Sequence, residues 1–211
     1  MTSLILPSLL SSKAGATRLD KANGSLKRLV DIVGGLAGLV ISAPLMAVCA
    51  AIIYRESPGA VVYKQIRTGR DGQDFTIFKL RTMRLDAETD GKVGWTVEND
   101  PRRLKIGEFM RSYNIDEVPQ FWNVLKGDMS LVGPRPERPE HIVRLRDEIP
   151  QYDERHAVKP GLTGWAQVNG WRGNTDLNER VKCDLDYIEN ASIVWDLKIM
   201  VKTFFNRQNA Y

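Results

Sequence analysis

The pattern of apolar and polar positions divides the chain into three parts. Residues 1–24 are rich in Ser, Ala, Gly and Lys and follow no clear period, which predicts a flexible leader. Residues 29–54 are apolar apart from Asp31. Further along the chain, the spacing of apolar residues fits helices and strands. We therefore predict a leader (1–24), a membrane segment (25–55) and one folded domain (56–211).

The membrane segment is long enough to enter a bilayer, because about 20 apolar residues suffice for a helix. Basic residues flank both of its ends, and the positive-inside rule then places both flanks in the cytoplasm. Pro44 interrupts the helical hydrogen bonds near the middle, and Ser42 can bond a backbone group freed there. These features predict a re-entrant hairpin that bends at Ser42 and Pro44. An ordinary spanning helix with a tolerated proline remains open as the alternative.

The remaining chain predicts an α+β fold. The stretch "AVVYKQIRTGRDGQDFTIFKLRTM" alternates like two strands around a turn at 69–72. Helices are predicted over 102–113, 116–126, 177–190 and 193–205. The last of these suits either the membrane headgroup layer or core packing. The predicted architecture is thus a membrane helix-break-helix, a small β-hairpin and a mainly α-helical cytoplasmic catalytic domain with interfacial helices.

Composition narrows the function classes. The 211 residues carry a net charge of +4 with a pI near 9.1, which suits partners that contain phosphate. Two cysteines without a CxxC pair favour a reducing compartment and exclude a disulfide scaffold. The motifs of P-loop, Rossmann, nucleophile-elbow and HExxH enzymes are absent from the sequence. The "GGLAG" stretch lies inside the apolar segment, where small residues favour close helix packing.

Candidate chemistry centres on Asp116 and Glu117 at the predicted helix start. A purely structural interpretation makes Asp116 the helix N-cap and Glu117 a first-turn acid. A chemical interpretation lets the two carboxylates share a divalent metal and makes one of them a nucleophile toward a diphosphate. Arg135, between two prolines in "GPRP", would present a rigid guanidinium to phosphate. The pair Asp184 and Asp186 is weaker evidence for a metal site, since two such side chains diverge on a helix.

A family resemblance rests on several motifs. In chain order these are "KRLVDIV", "SAP", "FKLRTM", "DEVPQFWNVLKGDMSLVGPRP", "KPGLTGWAQVNG" and "DLKIMVKT". Together they resemble the bacterial sugar transferase family, the monotopic polyprenol-phosphate phosphoglycosyl transferases. The resemblance extends over nearly the whole chain from Ser25. The chain is similar to the catalytic unit of the family alone.

The resemblance implies a reaction in which a sugar 1-phosphate passes from a nucleotide diphosphate sugar to undecaprenyl phosphate. It implies that Asp116 is the nucleophile and that Glu117 and Mg²⁺ act beside it. Arg135 would bind phosphate, and Lys79 and Asp184 match further polar family positions. The stretch "QVNGWRGNTD", which contains Arg172, and the terminal "NAY" resemble the subgroup that uses UDP-glucose. The implied product starts the synthesis of an exopolysaccharide or related glycoconjugate.

The implied partners are a UDP-sugar, undecaprenyl phosphate and the bilayer at the cytoplasmic face of the bacterial inner membrane, and no nucleic acid. A homodimer and contacts with polysaccharide assembly enzymes stay open. Two other interpretations also stay open. In one, a membrane-bound glycosyltransferase releases UDP and uses Asp184 and Asp186 on a metal. In the other, the protein is a non-catalytic membrane scaffold in which Asp116 only caps a helix.

Overall fold

The computed structural model describes residues 24–87, 100–173 and 175–205. The predicted leader lies outside the described residues except for Gly24, and so does the terminal "NAY". The helices and strands are, in chain order, α1 (Ser25–Glu56), β1 (Val62–Thr68), β2 (Asp74–Leu80), α2 (Lys105–Ser112), α3 (Gln120–Lys126), β3 (Ser130–Val132), α4 (Pro139–Glu148), β4 (Gly161–Thr163), α5 (Trp165–Val168), α6 (Leu177–Asn190) and α7 (Ile193–Phe205). Short 3₁₀ turns cover Arg70–Gly72, Ile115–Glu117 and Tyr152–Ala157. The mixed helix and strand content confirms the α+β class.

Helix α1 is long and apolar enough to cross a membrane, by length and composition. Helical backbone runs through Pro44, so the predicted interruption of the helix there is wrong. Pro44 has no N–H and leaves the Val40 carbonyl without its helical donor. The Ser42 hydroxyl donates instead to the Gly38 carbonyl, two residues before the freed one. The re-entrant topology itself stays a prediction.

Both ends of α1 pack against the rest of the protein. Near the first turns, the buried Asp31 carboxylate accepts hydrogen bonds from Ser130 Oγ and Leu131 N, both at 2.9 Å. Near the other end, Ile53 is fully buried in a cluster with residues of β2 and α2. At the last residue, the Glu56 carboxylate accepts a 2.6 Å hydrogen bond from the backbone N of Lys105. Between these ends the helix is largely exposed, as at Ile41, which is 79% exposed.

Glycines let α1 approach its neighbours closely. A Cβ atom added at Gly34 would lie 2.5 Å from the Leu131 side chain, and one added at Gly38 would lie 2.6 Å from the Phe121 ring. Both distances are shorter than van der Waals contact, so larger residues would push the helix away. The "GGLAG" stretch therefore serves close packing, as predicted.

The predicted hairpin is confirmed. Strands β1 and β2 pair antiparallel from Val62 opposite Leu80 to Thr68 opposite Asp74. The turn between them uses Gly72 at φ +73°, a conformation that glycine adopts without strain. The buried Asn123 side chain of α3 donates to the Thr76 carbonyl at 2.7 Å and so fastens α3 to β2. This contact holds the middle of α3 against β2.

Strands β3 and β4 form a short parallel pair, with Ser130 opposite Gly161 and Val132 opposite Thr163. Where β3 ends, a Cβ atom on Gly133 would lie 2.4 Å from the Lys159 carbonyl oxygen, so only glycine fits. Around this pair the main core cluster collects buried residues from β2, α3, β3, α6 and α7. The core therefore lies directly beneath the "GPRP" segment.

Helix α7 packs one face in the core, as one of its two predicted roles requires, and exposes apolar side chains on the other face, while its place in the headgroup layer stays a prediction. Ile199 is fully buried in the core, whereas Val201 and Phe204 are 57% and 79% exposed. Helix α6 is confirmed over the predicted range, and Asp176 caps it by accepting hydrogen bonds from Asn178 N and Glu179 N. Helix α4 was not predicted.

Two predicted helices begin later than expected. The helix predicted from residue 116 begins at Gln120, and the 3₁₀ turn Ile115–Glu117 precedes it. It ends as predicted at Gly127, which has φ +96°. The helix predicted from residue 102 begins at Lys105, where Glu56 of α1 satisfies its first free N–H groups. Asp116 and Glu117, the carboxylate dyad, therefore lie in a 3₁₀ turn ahead of α3.

Candidate active site

The carboxylate dyad lies in the 3₁₀ turn Ile115–Glu117. Asn114 opens the turn in the left-handed conformation, with φ +56°. Asp116 and Glu117 are only 8% and 9% exposed. The residue at the N-cap position of α3 is Pro119, so the prediction that Asp116 caps this helix is wrong. Its burial therefore needs another explanation.

Glu117 is held by two cations. Lys79 Nζ donates to Glu117 Oε1 at 2.8 Å, while the Arg135 guanidinium contacts both carboxylate oxygens, with 3.1 Å from Nη1 to Oε2. Burial alone would raise the pKa of Glu117, but Arg135 and Lys79 keep that pKa well below its usual range. Burial lowers the pKa of Lys79 and outweighs the opposite effect of Glu117. Glu117 is thus a permanent anion that positions both cations.

Asp116 has a different environment. Among the described residues, no hydrogen-bond donor contacts its carboxylate. Burial raises the pKa of Asp116 to about 6 against the lowering effect of Lys79, and the adjacent Glu117 charge raises it further. The carboxylate is therefore mostly ionised at neutral pH and keeps free lone pairs. Those are the properties of a nucleophile or a metal ligand.

Further cations surround the dyad. Arg111 and Arg172 both interact electrostatically with Asp116, in addition to Lys79 and Arg135. Arg172 donates to the Asn114 side-chain oxygen, and Arg111 Nε donates to Thr82 Oγ1 at 2.9 Å. Four cations thus face two carboxylates. The excess positive charge suits a diphosphate ligand.

The segment that carries Arg135 is fixed through its backbone. Four successive carbonyls, from Pro134 to Glu137, each accept a hydrogen bond from a different group. The donors are Gly161 N at 2.9 Å, Arg155 Nη2 at 2.9 Å, Arg67 Nη1 at 3.1 Å and Thr68 N at 3.0 Å. Together with the fixed φ of the two prolines, these bonds leave Arg135 little backbone freedom.

Asp184 lies one layer behind the dyad. It is 1% exposed, and its Oδ2 accepts hydrogen bonds from Arg155 Nε at 3.0 Å and Nη2 at 2.6 Å. Because Arg155 also donates to the Arg135 carbonyl, Asp184 acts on the site through Arg155. Asp186 points elsewhere and accepts a 2.9 Å hydrogen bond from Trp165 Nε1. Asp184 and Asp186 therefore do not form a joint metal site.

The residues present partly fit the implied Mg²⁺. Mg²⁺ is usually bound by one or two carboxylates together with substrate phosphates and water. Asp116 offers a buried carboxylate with free lone pairs, whereas both Glu117 oxygens are engaged by Lys79 and Arg135. No group of three His, Cys, Asp or Glu side chains able to hold a metal occurs among the described residues. The geometry fits Asp116 as the main protein ligand.

Of the predicted site residues, the structure brings together Lys79, Asp116, Glu117, Arg135 and Arg172. It places Ser42 and Pro44 in α1, and Asp184 behind Arg155. Three arginines at or behind the site were not predicted from the sequence: Arg67, Arg111 and Arg155. Arg111 lies in the last turn of α2, shortly before Asp116 in the sequence, and this closeness could have marked it as a site residue. Arg155 reaches the site only through the tertiary fold.

Comparison with known proteins shows which protein family the chain resembles. The family model for bacterial sugar transferases matches residues 22–209. The chain is 44% identical over 193 residues to the UDP-glucose:undecaprenyl-phosphate glucose-1-phosphate transferase of Escherichia coli (strain K12), which covers 90% of this chain and 41% of that protein. It is 41% identical over 189 residues to the exopolysaccharide production protein PSS of Rhizobium leguminosarum bv. phaseoli, covering 84% of this chain and 92% of that protein.

A further relative carries a different sugar in its name. The UDP-N-acetylgalactosamine-undecaprenyl-phosphate N-acetylgalactosaminephosphotransferase of Aeromonas hydrophila is 42% identical over 181 residues, which cover 84% of this chain and 42% of that protein. The chain thus spans about two fifths of the length of this relative and of the Escherichia coli one. The match over residues 22–209 includes the dyad, Arg135 and the cations around them. The chain belongs to the bacterial sugar transferase family.

Proposed function

We propose that the protein transfers a sugar 1-phosphate from a UDP-sugar to undecaprenyl phosphate, releases UMP and so starts exopolysaccharide synthesis. The observation that carries the proposal is the unequal dyad, with Glu117 clamped by two cations beside a buried Asp116 whose lone pairs are free. The names of the Escherichia coli and Rhizobium leguminosarum relatives support the reaction and its product class. Glucose 1-phosphate is the preferred group, although the Aeromonas hydrophila relative is named for another sugar.

The first chemical step uses Asp116 as a nucleophile. One carboxylate oxygen attacks the phosphorus that carries the sugar, and the bond from this phosphorus to the bridging oxygen of UMP breaks. UMP leaves with the electron pair of that bond, and a phosphosugar ester forms on Asp116. No proton has to move, because the total charge is the same on both sides. The raised pKa of about 6 makes Asp116 a better nucleophile than an ordinary carboxylate while leaving it ionised.

The second step regenerates the enzyme. A phosphate oxygen of undecaprenyl phosphate attacks the same phosphorus, the bond to Asp116 breaks, and undecaprenyl diphosphate sugar is formed. Arg135, Arg111 and Arg172 would stabilise the charge on the transferred phosphoryl group in both steps. Two sequential displacements let a water-soluble donor and a lipid acceptor use one site in turn.

Mg²⁺ would be held by Asp116, with Glu117 close by, together with the diphosphate of the donor. It would neutralise negative charge on the donor diphosphate. Lys79 and Arg135 keep Glu117 anionic and in place, which preserves a negative centre for the cation without adding a second nucleophile.

The membrane segment is part of the proposal. Near its start, α1 is bonded to β3 through Asp31, and at its last residue it is bonded to α2 through Glu56. A helix whose two ends pack on the same folded body cannot place those ends on opposite sides of a bilayer. We therefore infer that α1 is re-entrant, with a helical backbone that bends at Pro44 without a break, and that the body lies at the cytoplasmic face of the inner membrane. The exposed apolar side chains of α7 would lie in the headgroup layer.

The geometry of the site does not support the glycosyltransferase interpretation or the scaffold interpretation. A glycosyltransferase with a metal on Asp184 and Asp186 would need these carboxylates to converge, and they bind Arg155 and Trp165 instead. A scaffold with Asp116 as a helix cap would need a capping contact, and the N-cap position of α3 is occupied by Pro119.

The decisive experiment omits the acceptor. Purified protein with UDP-glucose and Mg²⁺ should release up to one equivalent of UMP and gain the mass of a hexose phosphate on the peptide that contains Asp116. Asp116→Asn should show neither signal, and Asp186→Asn serves as the control. Release of UMP only when undecaprenyl phosphate is present, without an adduct, would replace the covalent route by a one-step transfer. Release of UDP would replace the reaction class.

Topology needs a separate test. Single cysteines placed near Lys21 and near Lys64, in a background without Cys49 and Cys183, should both react from the cytoplasmic side of intact cells. A label that reaches only one of them from that side would mean that α1 spans the membrane. Replacing both Ser42 and Pro44 by Leu should shift the protein toward that spanning state, since the proline's missing hydrogen bond would be restored.

A further inference from the structure

A second concentration of positive charge lies at the base of α1. The first turns of α1, β3 and the loop before β4 surround an open cavity of about 240 Å³. This volume is many times the ~15 Å³ that a single water needs, so a much larger polar group fits. The charged groups in its lining are four cations and one carboxylate: Lys27, Arg28, Arg70, Lys159 and Asp31. None of the lining residues belongs to the dyad site.

Three of these groups already hold α1 in place. Lys27 Nζ donates to the Asp196 carboxylate at 2.6 Å. Arg28 donates to two carbonyl oxygens at the end of α3, at 2.7 and 2.6 Å. Asp31 accepts its hydrogen bonds from β3. Among the described residues the Arg28 charge is met by neutral carbonyls only, so it still contributes a positive potential to the cavity.

Lys159 is different, because its ammonium group makes no hydrogen bond or ion pair with any residue that the structure describes. Its side chain is half-buried, and a Cβ atom on Gly127 would lie 3.6 Å from Lys159 Nζ and 3.7 Å from Arg28 Nη2. The two cations are therefore close neighbours. Burial and the charges of Arg28 and Arg70 lower the pKa of Lys159. Keeping an ammonium group among like charges costs free energy that a bound anion would offset.

The position of the cavity indicates the kind of anion. Directly beyond the first turn, α1 carries exposed apolar residues such as Leu29 and Val33, at 56% and 59% exposure. A helix with this surface enters the acyl layer there, so its first turn lies at the level of the lipid phosphates. Lysines and arginines at the cytoplasmic surface attract anionic lipids with about 1 kcal/mol each. We propose that this cavity binds the phosphate head group of an anionic phospholipid, with Lys159 as the main contact and Arg28 and Arg70 beside it.

The test measures thermal unfolding of the purified protein in neutral detergent. Phosphatidylglycerol should raise the Tm of the wild type by about 3 °C or more relative to phosphatidylcholine, because a ligand stabilises the state that binds it. Lys159→Gln should lose more than half of this shift. Lys182→Gln, an exposed lysine on α6, should keep it. Equal shifts from the two lipids, or a full shift in Lys159→Gln, would overturn the proposal.

Two further ligands identify the source of the phosphate. Inorganic phosphate at the same concentration should give a clearly smaller shift than phosphatidylglycerol, and an equal shift would overturn the assignment to a lipid. A Lys159-dependent shift produced by undecaprenyl phosphate but not by phosphatidylglycerol would also overturn it, because the cavity would then belong to the acceptor. If Lys159→Gln does not fold, Arg70→Gln together with Lys159→Arg gives the same comparison, with loss of the shift expected in Arg70→Gln only.

Discussion

Two neighbouring regions bury charged groups in different ways. In the support region, formed by Glu137, Arg155, Arg180 and Asp184, both carboxylates meet a guanidinium group. The distances are 2.6 Å between Arg155 and Asp184 and 2.8 Å between Arg180 and Glu137. In the dyad, Glu117 is paired in the same way, but no described donor bonds to the Asp116 carboxylate. Both regions are buried, so they differ mainly in whether each carboxylate bonds to a cation.

This difference distinguishes residues that hold the fold together, the framework, from the residue that carries out the chemistry. A buried carboxylate without a partner is unfavourable, and such groups cluster at functional sites. The support region fixes the backbone of Arg135, and Arg135 then fixes Glu117. Breaking a framework pair should therefore cost stability, whereas neutralising Asp116 should cost activity alone.

The sharpest test is Asp116→Asn. We expect turnover to fall at least about 10³-fold, because an amide cannot act as the nucleophile. The variant should also unfold at a higher temperature than the wild type at pH 8. Since the folded-state pKa of Asp116 is raised from 3.8 to about 6, ionisation weakens the wild type as the pH rises through that value, by about 3 kcal/mol at most. The gain should vanish below pH 4, and a loss of stability at pH 8 would mean that Asp116 has a structural partner.

Asp184→Asn addresses the framework. Removing one partner of a buried ion pair leaves Arg155 uncompensated, and we expect a loss of about 3 kcal/mol in the free energy of unfolding. The matched control is Asp186→Asn, two residues along the same helix, with an expected change below about 0.5 kcal/mol. Denaturant unfolding in detergent measures both. Equal stability of the two variants would remove the distinction between framework and chemistry.

Arg135→Lys tests the contact between the two regions. The charge is kept, but the fork that contacts both Glu117 oxygens is lost, so turnover should fall by about 10- to 100-fold with the fold intact. Arg144→Lys on the exposed face of α4 is the control. Activity near that of the control would reduce Arg135 to a structural turn residue.

The smallest effect concerns pH. At limiting Mg²⁺, where Asp116 carries no cation, its pKa is about 6, so turnover should fall by about tenfold between pH 7 and pH 5, and saturating Mg²⁺ should reduce this fall. Glu117 stays ionised over this range, since its pKa is held well below its usual value. A rate that stays constant down to pH 5 at limiting Mg²⁺ would mean that the pKa of Asp116 is not raised.

Local sequence patterns were sufficient to predict those elements whose structure is determined by residues close in the chain. The hairpin could be predicted because its turn glycines lie between alternating strands, and α6 because its apolar residues recur at helical spacing. The central members of the site, Asp116 and Arg135, were also found, since helix-breaking prolines and adjacent charges mark them. Their mutual contact through Glu117 and Lys79 followed only from the fold.

Long-range contacts were beyond such patterns. Glu56 binds the start of α2 from 49 residues away, which moved the beginning of that helix. Arg155 joins Asp184, 29 residues along the chain, to the Arg135 carbonyl, 20 residues back. The uninterrupted backbone at Pro44 was also missed, because one lost hydrogen bond does not outweigh a long apolar helix with good neighbours.

The bonds of Asp31 have a consequence for the order of biosynthesis. Its acceptor oxygen bonds to Ser130, 99 residues later in the chain. At about 5–20 residues per second, the ribosome needs several seconds to supply that partner. During this interval we expect the unpaired carboxylate to stay in water and so to keep the start of the apolar segment at the surface of the bilayer. We expect nascent chains arrested before residue 130 to remain extractable by alkali and full-length chains to resist extraction, a difference that Asp31→Leu should abolish.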